Sequence, residues 1–149
     1  MKVYVKRNMF KYNEEVYTKD ILQYIEDECS CFKNVDYKIC TTETLDSFNF
    51  QNAEMNIYLI SRHMETEYDY DWDENPITNN YEELSYLPIS YCPICGKKLE
   101  IIIDQVIDKT LEIEPLMKEL NKLNKKRESK KKFFTRLEII HQIKNLMNQ

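Results

Sequence analysis

Glycine is almost missing from this chain: 149 residues hold one, Gly96, where an average usage of about 7% would place roughly ten. That scarcity excludes functions in which backbone must approach phosphate closely, since there is neither a glycine-rich phosphate loop nor a dinucleotide fingerprint. Histidine is nearly as scarce. His141 falls within an apolar helical stripe, where a packed or surface role is expected, which leaves His63 as the other imidazole. No Ser or Cys stands in a recognisable nucleophile motif, and nothing in the pattern looks like an enzyme. No run of eighteen apolar residues occurs, and no apolar segment follows the basic start from Met1 to Arg7, so neither a membrane span nor a signal peptide is expected. No Gly/Ser linker and no internal repeat divides the chain.

What is present is cysteine in an informative arrangement. The count of five is odd, and two of the five stand as Cys92-Pro93-Ile94-Cys95-Gly96-Lys97-Lys98. This reads as a reduced, cytoplasmic protein rather than a disulfide scaffold. Cys-x2-Cys is a usual half-site for a tetrahedral zinc ion. The residue after the second cysteine often needs a positive φ, which glycine adopts without a Cβ clash, so the one glycine marks where the backbone is expected to be tightest. A closed site needs two further ligands. Cys29 and Cys31 are the preferred pair, and Cys40 or His63 could replace one of them. The plainer reading of Cys29 or Cys40 is a buried apolar side chain.

These residues resemble the terminal knuckle of small zinc-ribbon proteins of the Cys-Pro-x-Cys-Gly-(Lys/Arg)-Lys type, common in bacteria and their phages, over about ten positions. The resemblance implies a structural zinc and carries no activity with it. It departs from the family upstream, where the first pair is usually Cys-x2-Cys and this chain offers Cys29-x-Cys31. With the composition, rich in Asn, Lys and Tyr, it is also similar to accessory proteins of phages and mobile elements, many of which bind and inhibit a host protein, including defence nucleases.

The hydrophobic fraction of 42% and the charged fraction of 32% allow one modest core that an ion cross-link would help. Met1–Phe10, Val35–Thr41 with Cys40, Met55–Ser61, Tyr86–Tyr91 and Leu99–Ile103 read as strands, the last two flanking the knuckle as a zinc ribbon requires. Thr18 is a candidate cap for a helix to about Glu28, with Asp20 in its first turn and Ile21, Leu22, Tyr24 and Ile25 on its apolar face. Beyond Ile103 the apolar residues fall at helical spacing. One stripe runs from Val106 and Ile107 through Leu111, Leu116, Leu120 and Leu123, with a kink or new start expected at Pro115. The other runs from Phe133 through Leu137, Ile140, Ile143 and Met147, with Ser129 as its cap. The expected fold is therefore α+β: a small mixed or antiparallel sheet with an N-terminal helix over residues 1–103, stapled by zinc, and a C-terminal helical hairpin over residues 104–149. The apolar stripes exceed what an isolated hairpin leaves in water, which suggests a homodimer through residues 104–149.

The net charge of −5 hides an asymmetry, because residues 51–91 set nine acids against Arg62 alone while residues 92–149 set thirteen bases against eight acids. Between Glu65 and Glu74, acids at odd positions alternate with Thr66, Tyr68, Tyr70 and Trp72. In extended form this separates a carboxylate face from an aromatic one. Asp69, Asp71 and Asp73 have the start of a calcium loop, but Glu74 and Asn80 stand where glycine and glutamate are needed. The plainer and preferred reading is a strand with one solvated and one core face. The functional reading is a surface of Asp69, Asp71, Asp73, Tyr70 and Trp72 for a partner protein, with the carboxylates presenting charge much as phosphates do. Lys125, Lys126, Arg127, Lys130, Lys131 and Lys132 form a basic cluster. A solvated helix junction is its commoner fate, and phosphate contact is the alternative. The preferred function is non-enzymatic binding of a host or cognate protein. A nucleic-acid-binding regulator is the alternative, and a metal-dependent nuclease using the acidic tract is weaker.

Overall fold

The computed structural model describes residues 1–41, 52–125 and 129–149, so Lys126 and Arg127 of the basic cluster lie outside the described residues. The chain forms β1 (Lys2–Tyr12), β2 (Glu15–Glu26), a short 3-10 turn (Ser30–Asn34), β3 (Tyr37–Thr41), β4 (Met55–Tyr70), β5 (Pro76–Pro88), β6 (Glu100–Asp108), α1 (Thr110–Asn124) and α2 (Lys130–Asn148). There are two sheets of three strands, ordered β2-β1-β6 and β3-β4-β5. The first is mixed, with β1–β2 antiparallel and β1–β6 parallel, and the second is an antiparallel meander.

The protein is thus mostly β, which corrects the α+β expectation, and there is no N-terminal helix: residues 18–26 belong to β2. The cause is a bulge. Tyr4 pairs with Tyr24 but Val5 pairs with Leu22, so Gln23 is an extra residue on β2. An extra residue breaks the period of two, leaving Ile21, Leu22, Tyr24 and Ile25 at the spacing that reads as a helix face. Asp20, expected in a helical first turn, is instead a buried latch between the sheets. Its carboxylate takes two hydrogen bonds from Arg7, at 2.6 and 2.9 Å, and one from the Met55 amide at 2.9 Å.

The strands expected on either side of the knuckle also form, but not as a ribbon. β5 joins the second sheet and β6 pairs with β1 in the first, and a single bridge between Tyr91 and Lys98 links the two flanks. The knuckle therefore spans the junction of the sheets. Asp104–Asp108 continues β6, so Val106 and Ile107 belong to a strand, and α1 begins at Thr110 and runs through Pro115 to Asn124. α2 begins where expected, with the Ser129 hydroxyl accepting from the Lys132 amide.

Strand β1 serves two cores. Val3 and Val5 enter one with Met1, Cys29, Phe32, Met55, Ile57, Cys92 and Leu99, between the sheets. Phe10 enters the other with Ile113, Met117, Leu120, Ile139, Ile140, Ile143 and Met147. The parity change along β1 puts these cores on opposite faces of its sheet. Most of the helical stripes is covered within the chain, against each other and Phe10, but Leu111 and Phe133 remain exposed. No described helix is long and apolar enough to cross a membrane.

Candidate metal centre

Cys29, Cys31, Cys92 and Cys95 are brought together, each with its sulfur within 4.8 Å of the others. Cys29 Sγ lies 3.6 Å from Cys92 Sγ and 3.5 Å from Cys95 Sγ. These gaps far exceed the ~2.05 Å of a disulfide, and all four are free thiols. Such a group could hold a metal ion. Cys40, partly buried on β3 opposite Asn56, and His63, on β4, stand outside it.

The downstream pair is held by a local hydrogen-bonded loop. The Cys92 amide donates to Lys97 O at 2.8 Å, the Gly96 amide to Cys92 O at 2.9 Å, and the Leu99 amide to Ser90 O at 2.9 Å. Gly96 has φ +72°, and a Cβ built there would meet no atom within 4 Å. Its glycine is therefore favoured by the backbone angle rather than by crowding. It is not alone in that region: Asn13, Glu14, Asp27 and Glu74 have φ of 50°, 66°, 51° and 61°. The chain makes its other tight turns without glycine, using in part the tolerance of Asn and Asp for this conformation.

The upstream pair leaves β2 through the left-handed Asp27. Cys29 stands at the start of the 3-10 turn rather than at a helix C-terminus. Lys97 Nζ donates to Asp27 O at 3.2 Å, joining the two half-sites by a contact that no cysteine spacing reveals.

The electrostatics suit a cation. Amides of Cys95 and then Ile94 donate to the Cys92 sulfur and, against the opposing effect of burial, bring its thiol from 9.0 to about 6. The Cys31 amide likewise favours a Cys29 thiolate, but burial and the neighbouring Cys95 and Cys92 sulfurs outweigh it and push the thiol up. Cys31 is pushed up to about 12 by contact with the Cys29 sulfur, then that of Cys95, and by burial. The Cys92 thiolate forms readily, and the Cys29 and Cys31 thiols resist adding negative charge beside it. A bound cation reverses that resistance, since metal binding releases the thiol protons.

The acidic tract forms a different feature. Glu65, Glu67 and Asp69 lie on one side of β4 and Thr66, Tyr68 and Tyr70 on the other, in a long hairpin with β5. Neither side is a core face. Tyr68 is 79% exposed, Tyr70 70%, and Trp72, in the turn, is fully exposed. Asp69, Asp71 and Asp73 form no ligand group among the described residues. The Asp71 carboxylate is used by its own turn, accepting from the amides of Asp73 at 2.9 Å and Asn75 at 2.8 Å. Those bonds hold it below the usual carboxylate range, the Asn75 amide first. Sequence reasoning missed the partner strand, which places Ile77 opposite Asp69, Tyr81 opposite Glu65 and Glu83 opposite His63. Two extended stretches around the polar turn Asp71–Asn75 were its available signal. His63 Nε2 lies 3.2 Å from Glu65 and 3.1 Å from Glu83. Of the basic cluster, Lys125, Lys130 and Lys131 are exposed on the helical pair, and Lys132 is half-buried.

Comparison with protein-family models, with curated proteins and with solved structures finds no match to this chain.

Proposed function

We propose that this is a non-enzymatic zinc protein that binds a partner protein through the β4–β5 hairpin. The observation that carries the zinc assignment is the closed set of four sulfurs. A tetrahedral ion with Zn–S of about 2.3 Å sets its ligands roughly 3.8 Å apart, close to the 3.5 and 3.6 Å measured between three of them. Four cysteine ligands leave no open coordination position for a substrate, which supports a structural role. The site joins the end of β2 to the segment linking β5 and β6, the place where a staple between two small sheets is most effective. Metal analysis of protein prepared without chelator should give about one zinc per chain. A tetrahedral sulfur site also accepts iron, so a coloured protein with iron in that ratio would overturn the identity of the ion, and no metal at all would overturn the site.

The binding role is supported by the hairpin, which exposes apolar side chains on an element with neither face covered. Used as bait, the protein should retain one stoichiometric partner and lose it on Glu67→Lys/Asp69→Lys/Asp73→Lys. Asp71 is left intact because it folds its own turn. Retention unaffected by these changes would remove the hairpin from the binding surface. A nucleic-acid role rests on the exposed Lys125, Lys130 and Lys131 and would show as binding that weakens steeply with salt.

A further inference from the structure

The β4–β5 hairpin is an arm. β4 starts beside β2, with Ala53 bridged to Lys19 in parallel, and runs on past the pairing of Leu59 with Tyr37 at the start of β3. From Ser61 to Tyr70 it is paired with β5 alone, a reach of roughly 30 Å at about 3.4 Å per residue. A two-stranded ribbon is marginal in water unless something covers it. This one is 13 residues long on β5 without a buried side chain. One side carries Met64, Tyr68 and Tyr70 with Leu84, and the other carries Glu65, Glu67 and Asp69 beside Tyr81 and Ile77. Glu67 meets no cation among the described residues.

The opposite end of the molecule has the complementary surface. The helical pair packs on β1 and β2 at Phe10, Tyr12 and Tyr17, next to the β1–β2 turn. There Lys122, Lys125, Lys130 and Lys131 are exposed, beside Phe134 at 62% exposure. β4 runs in the direction of β2, away from that turn, so among the described residues the arm and the basic surface of one chain point apart.

We infer that the arm's occupant is a second copy of this chain, lying antiparallel, so that each arm covers the basic helical surface of the other. This rests on reading the arm as a binding element and names its partner. Two such contacts related by a two-fold axis close on themselves, whereas a single head-to-tail contact would propagate into a filament. Charge complementarity sets the pairing and its register, while Tyr81, Ile77 and Phe134 supply apolar contact, and the lysines meet aromatic faces as well as carboxylates.

Sedimentation of the intact, metal-loaded chain tests this. At low salt the protein should run at twice 18.1 kDa, and near 1 M salt, where the screening length falls to about 3 Å, the dimer should weaken at least tenfold. Glu65→Lys/Glu67→Lys/Asp69→Lys should be monomeric, as should Lys122→Glu/Lys125→Glu/Lys130→Glu/Lys131→Glu, each with the folded circular dichroism spectrum of the parent and a melting temperature lowered only by the lost association. Mixing the two in equal amounts should restore both contacts, one with its charges as in the parent and one with them exchanged, and hence a heterodimer. A chain that stays monomeric at low salt overturns the inference. So does a dimer that neither reversal disturbs. If that monomer still retains a foreign protein on its arm, the binding role survives and only the partner is wrong; if it retains nothing, both fall.

Discussion

The molecule contains two long hairpins that are alike in pairing and opposite in fate. β1–β2 joins strands of 11 and 12 residues, and β4–β5 joins strands of 16 and 13. In the first, β1 is flanked on both edges and covered on both faces, so Val3, Val5, Asn8 and Phe10 are buried. In the second, no residue beyond Ile57 is buried on either strand. Hydrogen bonding along a ladder does not separate them. What separates them is coverage: stability in a sheet comes from what packs against its faces, and a ribbon left bare contributes little to the fold and is free to serve another surface.

The sharpest way to break this contrast is to remove the staple at the covered hairpin's end. Cys92→Ser, or chelation, should remove binding free energy on the order of 10 kcal/mol, the scale of structural zinc binding, and lower the melting temperature more than any other change proposed. A chelated protein that melts where the loaded one does would show that the metal is peripheral to the first core. Next in size is the second core. Phe10→Ala removes a fully buried ring stacked on Tyr17 and should cost about 3–5 kcal/mol in urea unfolding. A loss below about 1 kcal/mol would mean that the helical pair barely supports β1.

A smaller effect is expected in pH. In metal-free protein the folded Cys92 thiol ionises near 6 against 9.0 ordinarily. Between those values the folded state holds fewer protons than the unfolded one, so stability should rise with pH across that window. The contribution is lost below about 6, and Cys31, raised to about 12, acts in the opposite sense above 9.0. Urea midpoints of the stripped protein that stay level from about 6 to 9, or a slope unchanged in Cys92→Ser, would contradict the thiolate-stabilising role of the knuckle amides. The smallest effect belongs to the bare hairpin. Tyr68→Thr and Tyr70→Thr should shift monomer stability by no more than about 0.5 kcal/mol. A larger loss would show that the aromatic side packs within its own chain.

The readings that survived depended on neighbours in sequence. The knuckle was legible because its thiols and its glycine belong to one short loop, whose hydrogen bonds run between residues 90 and 99. The Ser129 cap and the stripe of α2 were legible for the same reason, and so was the alternation of acids and aromatics along β4. The readings that failed depended on a partner strand. Ile21, Leu22, Tyr24 and Ile25 have helical spacing only because Gln23 is a bulge against β1. The last residues of β6 read as the start of a helical stripe because Val106 and Ile107 are in phase with Leu111.

By itself, then, the sequence determined the local items: two thiols on one turn with a left-handed residue after them, a capped basic helix, and a strand with opposed acidic and aromatic sides. Only the tertiary structure decided that Cys29 and Cys31 join that turn while Cys40 and His63 do not, since this required β2 and the knuckle to meet across more than sixty residues. It also decided that β6 lies parallel to β1, and that the acidic strand is left without a core beneath it. Local geometry is set by bonded neighbours and their hydrogen bonds. Which surfaces are covered is set by competition among all apolar faces for the same few partners, and a linear pattern does not carry the outcome of that competition.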